Sequence, residues 1–249
     1  MLVRQGDARD SGLDRHLAYT LAAVAGGLNA AAFHAVGFFS ANMTGNVSAL
    51  SSLIALGDWG RGLGYLGIVI TFIFGAFVST LVVGAGLRRG ISTIYARVIL
   101  GEAAMLVLLG FLESRLDRAS GVPILIFGLS FLMGLQNAIV THISDARVRT
   151  THVSGMSTDI GIGLAKMLDI GKGLADPADR RRVITELHLH GGTVGSFLGG
   201  GVLGVLIYRF CGAISFALAG LPLALAATLS IVASRRSRIP AGPSPDVFG

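Results

Sequence analysis

Two short polar runs interrupt an apolar chain: Asn42-Met43-Thr44-Gly45-Asn46 and His152-Val153-Ser154-Gly155-Met156. Their hydroxyl–glycine pairs lie 110 residues apart, and each run follows an apolar segment carrying an asparagine, Asn29 in the first and Asn137 in the second, 108 residues apart. A glycine after Thr44 or Ser154 permits backbone angles that other residues resist, so each run reads as a break in a helix. Irregular backbone at membrane depth needs partners from protein or from water in a cavity. A helix restarting near Asn46 or Met156 aims free N–H groups and its positive dipole end at that cavity, which favours an anionic or strongly dipolar group. Asn42, Thr44, Asn46, Ser154, Ser157 and Thr158 add neutral hydrogen-bonding groups. The competing explanation is that both runs cap ordinary short helices at a membrane surface. Repetition favours a binding role, because paired interrupted segments in two halves of a chain point to a transport site.

Few other residues could carry chemistry. Asp159 falls in the first turn after the second break, where the helix dipole stabilises a carboxylate. It reads as a proton- or cation-coupling group, or as a solvated residue near the membrane face. Glu102 sits inside an apolar segment, where carboxylates are rare and often functional; pairing with Arg97 is the plainer account. Gln136, Asn137 and Asn29 are amides within apolar segments and need partners there. They either bind substrate or clamp the breaks. Glu186 and His190 share a helical face, with His142 and His152 available only through tertiary contact, which is too little to imply a metal. The histidines read instead as titrating or interfacial groups. No Walker loop, His-Glu-x-x-His, Gly-x-Ser-x-Gly or Cys-x-x-Cys pattern occurs, and the single cysteine, Cys211, excludes an intrachain disulfide. No catalytic residue and no cofactor is implied.

The elements that must position these residues are membrane helices. Hydrophobic residues make up 52% of the chain and charged residues 14%, against about 25% charged in a soluble domain. Apolar runs near 20 residues recur, each long enough to cross a hydrocarbon core of about 30 Å. The expected segments cover 17–39, 43–57, 63–87, 94–112, 122–141, 152–168, 186–208 and 211–233. Residues 1–16 form a polar tail and 234–249 a basic, Pro-containing one expected to be disordered. The membrane domain, 17–233, divides into repeat halves at about 17–113 and 122–233. Gly191, Gly195 and Gly199 form a stripe suited to close helix packing.

The segments at 43–57 and 152–168 are short and polar. If neither crosses, the chain has six spans, and 16 of its 20 Lys/Arg fall on the cytoplasmic side together with both termini. If both cross, there are eight spans and the split becomes 14 to 6. The positive-inside rule favours six spans and inverted halves; eight spans would give a parallel repeat. The net charge of +6 sits in short connections, so it is topological rather than a nucleic-acid-binding face.

The run Asn42–Asn46, together with Gly134-Leu135-Gln136-Asn137-Ala138, Arg149-Thr150-Thr151-His152-Val153-Ser154-Gly155 and Thr158-Asp159, resembles the YoaK-like family of uncharacterised bacterial integral membrane proteins. Ser154 departs from the commoner Thr-Gly form. The resemblance implies a bacterial inner-membrane location and no settled activity. The residues themselves point to a small-molecule transporter or channel in contact with lipid, with self-association through the glycine stripe open. Two alternatives are a membrane-embedded enzyme, which needs Glu102, Asp159, His142 and His152 to converge, and a non-catalytic assembly or sensing subunit.

Overall fold

The computed structural model describes Leu2 and residues 11–236, and among these it is all-helical. Eight helices follow in order: α1 (Ser11–Val36), α2 (Met43–Ala55), α3 (Trp59–Arg88), α4 (Ile94–Arg115), α5 (Arg118–Ser144), α6 (Val153–Gly171), α7 (Arg180–Cys211) and α8 (Ile214–Arg236). A single 3₁₀ turn, Pro177–Asp179, precedes α7. The polar tails fall largely outside the described residues. Helix α1, however, begins at Ser11, inside the stretch expected to be a tail. Its Asp14 carboxylate accepts a hydrogen bond from Arg147 Nε at 3.0 Å, which ties the start of α1 to the connection after α5.

Six helices, all but α2 and α6, are long and apolar enough to cross a membrane. Helix α2 has 13 residues, about 20 Å of rise and short of a 30 Å core. Helix α6 carries Asp159, Lys166 and Asp169. Polar residues set the helix starts: Asn42 caps α2 through Gly45 N–H, and Asp58 caps α3 through Arg61 N–H. Large apolar side chains such as Phe74, Phe77, Leu203 and Phe210 stay exposed on α3 and α7, as lipid-facing positions do. The core lies between α1, α4, α5 and α8, around Leu21, Leu28, Ile99, Leu106, Leu132, Met133 and Phe216.

Helices α3 and α7 flank this core, α7 against α1 and α3 against α5. Both crossings are built from glycine on each side. A methyl group on Gly26 would overlap the carbonyl oxygen of Phe197, and one on Gly200 that of Ala23. In the other pair, a methyl on Gly134 would overlap the carbonyl oxygen of Phe72, and one on Gly75 that of Phe131. The two crossings correspond position by position: Ala23 and Gly26 lie 108 residues before Phe131 and Gly134, and Phe72 and Gly75 lie 125 before Phe197 and Gly200. Lipid supplies no hydrophobic drive between helices, so direct backbone contact has to hold them together. The stripe Gly191, Gly195, Gly199 was expected to do this packing, but it does not: those three glycines are exposed, and a side chain there would meet nothing within 4 Å. The packing glycines of α7 are one position further along the sequence, at Gly192, Gly200 and Gly204.

The direction of the third pair decides the number of spans. Gly110 of α4 lies against Ala217 of α8 and Ala213 just before it, while Gly220 of α8 lies against Ala103. Rising numbers on α4 meet falling numbers on α8, so these helices are antiparallel. Eight alternating crossings would make α4 and α8 parallel. The eight-span alternative is therefore excluded, and the protein has six spanning helices plus two short ones.

Alanine at Gly26 or Gly134 should force a crossing apart and cost about 1–3 kcal/mol, the range for overpacking. Thermal unfolding in detergent should show a lower midpoint for each. Gly60→Ala and Gly64→Ala, where a methyl meets nothing within 4 Å, should show no loss; equal effects at all four sites would contradict the assigned crossings.

Candidate functional site

The chain turns back into the protein after α1 and again after α5. Beyond Val36, Gly37 takes a left-handed conformation (φ 79°), and Asp145 does the same (φ 52°) after Ser144. Four residues after Gly37, and six after Asp145, the chain has returned to the level of an asparagine. The Ala41 N–H donates to Asn29 Oδ1 at 2.8 Å, and the Thr151 hydroxyl donates to Asn137 Oδ1 at 2.8 Å. Each asparagine lies seven residues inside the end of its helix, about 10 Å below that end. Helices α2 and α6 therefore start at depth and run back outward, which makes them re-entrant. Asn29 and Asn137 act as the clamps. Asn46 adds a third tie, its Nδ2 donating to Phe39 O at 3.1 Å.

Gly45 and Gly155 have a different role from the one their sequence context implies. Both lie within helices and neither has positive φ. Each instead makes room for the side chain at its own helix cap. A methyl on Gly45 would overlap the Asn42 amide, and one on Gly155 the His152 ring. The caps differ in chemistry. Asn42 Oδ1 accepts from Gly45 N–H at 3.1 Å, whereas His152 makes no side-chain cap bond, which leaves the first N–H groups of α6 without that partner.

Both breaks line one cavity of about 1210 Å³. Asn29, Asn42, Thr44 and Gly45 contribute from the first half, and Asn137, Thr151, His152 and Ser154 from the second. Phe72 of α3 and Phe197, Val202 and Leu206 of α7 form apolar walls. Arg149 is the one charged side chain in the lining. Its Nη1 lies 3.4 Å from His152 Nδ1, and no ion pair to it occurs among the described residues. In the sequence Arg149 reads as one more basic loop residue. The signal that could have found it is register: it stands three residues before the cap of α6, where the first half has Phe39.

The remaining sequence-predicted residues do not line the cavity. Ser157 and Thr158 are exposed and donate to the Val153 and Ser154 carbonyls of their own helix. Asp159 is also exposed, with His190 Nδ1 3.9 Å from its carboxylate. Gln136 is fully buried on another face of α5 and has no hydrogen-bond partner among the described residues. Glu102 is likewise fully buried and unpartnered. Its expected pairing with Arg97 does not form, because Arg97 Nε donates to Thr93 Oγ1 at 3.2 Å. Among the described residues no three His, Cys, Asp or Glu side chains stand together as metal ligands. The convergence an enzyme would need is also absent: His142 contacts Thr80, His152 contacts Arg149, Asp159 lies by His190, and Glu102 is buried in the core.

Six apolar crossings and two re-entrant helices meeting at one cavity define a multi-pass helical membrane protein. Residues 17–229 match the family described as "Protein of unknown function (DUF1275)", and the chain belongs to that family. No curated protein and no solved structure matches it.

If the cavity is wet, cysteines at its two breaks should react with a small water-soluble thiol reagent. In a Cys211→Ser background, Thr44→Cys and Ser154→Cys should label readily and Leu21→Cys, in the core, should not. Protection of both break cysteines in the membrane would contradict a water-accessible cavity.

Proposed function

We propose that the protein is a transporter or channel for a small molecule bearing an anionic or strongly dipolar group, held in a bacterial inner membrane. The observation that carries this reading is the shared cavity: two re-entrant helix starts and the lone cation Arg149 line one apolar-walled space. Helix N-termini and an arginine without a carboxylate partner all favour negative charge. The apolar walls suit cargo with a carbon skeleton.

An inverted repeat of α1–α4 and α5–α8 underlies the site in this reading. The matched glycine crossings and matched asparagine clamps support it. So does the ion pair between the start of α1 (Asp14) and the chain beyond the end of α5 (Arg147), which speaks for α1 and α5 running in opposite directions. Three crossings per half would bring the breaks in from opposite faces, the arrangement expected of an alternating-access site. The excess of Lys/Arg on the face holding the start of α1 supports cytoplasmic termini, even with Arg149 assigned to the cavity.

Reconstituted protein should move one or more members of a panel of small metabolites into proteoliposomes. The double variant Gly45→Leu, Gly155→Leu should abolish that flux, and Arg149→Gln should weaken uptake of an anionic cargo about 10- to 100-fold, as loss of a charge-assisted bond does. Unchanged flux in a correctly folded double variant would remove this site from the transport path.

A second reading concerns assembly. The exposed Gly191, Gly195 and Gly199 leave one face of α7 open to another helix, and we propose a second copy of this chain there. Gly195→Cys in the Cys211→Ser background should crosslink between copies in native membranes. Only monomer after oxidation would count against it.

A further inference from the structure

We propose that Ser79, Glu102 and Gln136 form a buried binding site for a monovalent cation, a sodium ion or a proton, separate from the cavity. All three side chains are fully buried. Ser79 Oγ, both Glu102 carboxylate oxygens, and Oε1 and Nε2 of Gln136 have no hydrogen-bond partner among the described residues. One such atom is an ordinary cost of folding. Five on three neighbouring helices need a shared explanation, because each buried polar atom left without a partner costs about 1–3 kcal/mol.

The register of the helices puts the three residues in one layer. Ser79 lies nine residues before the end of α3, Glu102 eight after the start of α4, and Gln136 eight before the end of α5. Those three helix ends share one membrane face, so each residue sits about 12–14 Å below it. Contacts agree. Gly86 of α3 meets Ile94 of α4, Gly128 of α5 meets Leu109 of α4, and Gly75 of α3 meets Leu135 of α5. Counting from these points brings Ser79, Glu102 and Gln136 level to within about one helical turn. Ser79 also lies on the face of α3 that holds Gly75 and Gly86, turned towards α5 and α4.

The donor set defines the ligand. A hydroxyl, two carboxylate oxygens and an amide carbonyl are hard oxygen ligands of the kind that take hydrated main-group cations. One negative charge calls for one positive charge. A divalent ion would leave a net buried charge, as would a bare carboxylate, and either is expensive in this core. Among the described residues no cation pairs with Glu102. Helix α3 has no titratable group between Tyr65 and Arg88, α5 none between Arg118 and His142, and α8 none between Ile214 and Ser234. The neighbours on α4 are Tyr95 and Arg97, the latter bonded to Thr93, and His142 bonds to Thr80.

The site also abuts the cavity through one helix. Gln136 and Asn137 are consecutive on α5, and Asn137 clamps the second break. An ion that draws Gln136 towards Glu102 turns the face that holds Thr151. This link to transport rests on the function proposed above; the existence of the site does not.

The test is thermal unfolding of the purified protein in detergent, with sodium chloride titrated against choline chloride at constant ionic strength. Infrared spectra of the carboxylic acid C=O band provide a second readout. If sodium is the ligand, it raises the midpoint in a saturable way, Ser79→Ala raises the half-saturating concentration on the order of tenfold, and Glu102→Gln abolishes the response. If a proton is the ligand, sodium has no effect, and a protonated-acid band present near neutral pH disappears in Glu102→Gln. Absence of both the sodium response and a Glu102-dependent band would overturn the proposal. If Glu102→Gln does not fold, the sodium titration of the wild type and Ser79→Ala, with the wild-type band, still decides it. Neither readout involves flux, so a negative result here leaves the cavity proposal standing, and the reverse holds as well.

Discussion

A chain that leaves its helix inside a hydrocarbon layer must be tied by hydrogen bonds made within the protein, and Asn29 and Asn137 make them, to the Ala41 N–H and the Thr151 hydroxyl. Lipid offers nothing at that depth to pair a free N–H or C=O. Each asparagine stands about two turns inside its helix end and bonds to the returning chain at Ala41 or Thr151. Those two bonds fix where α2 and α6 begin. The helix starts in turn fix where the cavity lies and which N–H groups border it. A left-handed residue at the head of each loop, Gly37 or Asp145, supplies the reversal that lets the chain come back. Asp145 takes a conformation that glycine adopts more easily, so the second loop is the more strained of the two.

Glycine crossings do for the helices what the asparagines do for the loops. Direct contact between backbones at Gly26, Gly200, Gly75 and Gly134 brings α7 and α3 against α1 and α5. A lipid-facing helix has little else to hold it in place. The resulting frame has α4 and α8 at one side and an apolar-walled space at the other. The two breaks are close in geometry and unlike in chemistry. The first break is neutral and capped by an amide. The second carries Arg149, an imidazole and uncapped N–H groups. The charge in the lining thus comes from the second break alone, while residues of both breaks border the cavity.

The breaks, the clamping asparagines and the six spans were legible in the sequence because each is a local signal. A run of about 20 apolar residues has a transfer free energy whatever its neighbours are. A Thr-Gly or Ser-Gly pair in such a run is visible for the same reason. Bounds were less legible: α1 starts at Ser11, within a polar stretch, because Asp14 gains a partner in Arg147 far along the chain. Glycine spacing misled. The stripe at Gly191, Gly195 and Gly199 has the pattern of a packing face, yet the face that packs is rotated away from it. Four-residue spacing says that a helix face is smooth, not that another helix lies on it.

Sequence alone settled the class of molecule, the number of crossings favoured by charge, and the two places where the chain cannot remain a simple helix. These depend on hydropathy, charge placement and backbone chemistry, which add up along neighbouring residues. Tertiary structure alone decided that both breaks open onto one cavity, that Arg149 faces it while Asp159 does not, and that Glu102 is buried in the core rather than paired with Arg97. Those outcomes depend on which helices become neighbours and on their rotation about their own axes. Contacts between residues far apart in the chain fix both, and no short stretch of sequence contains them.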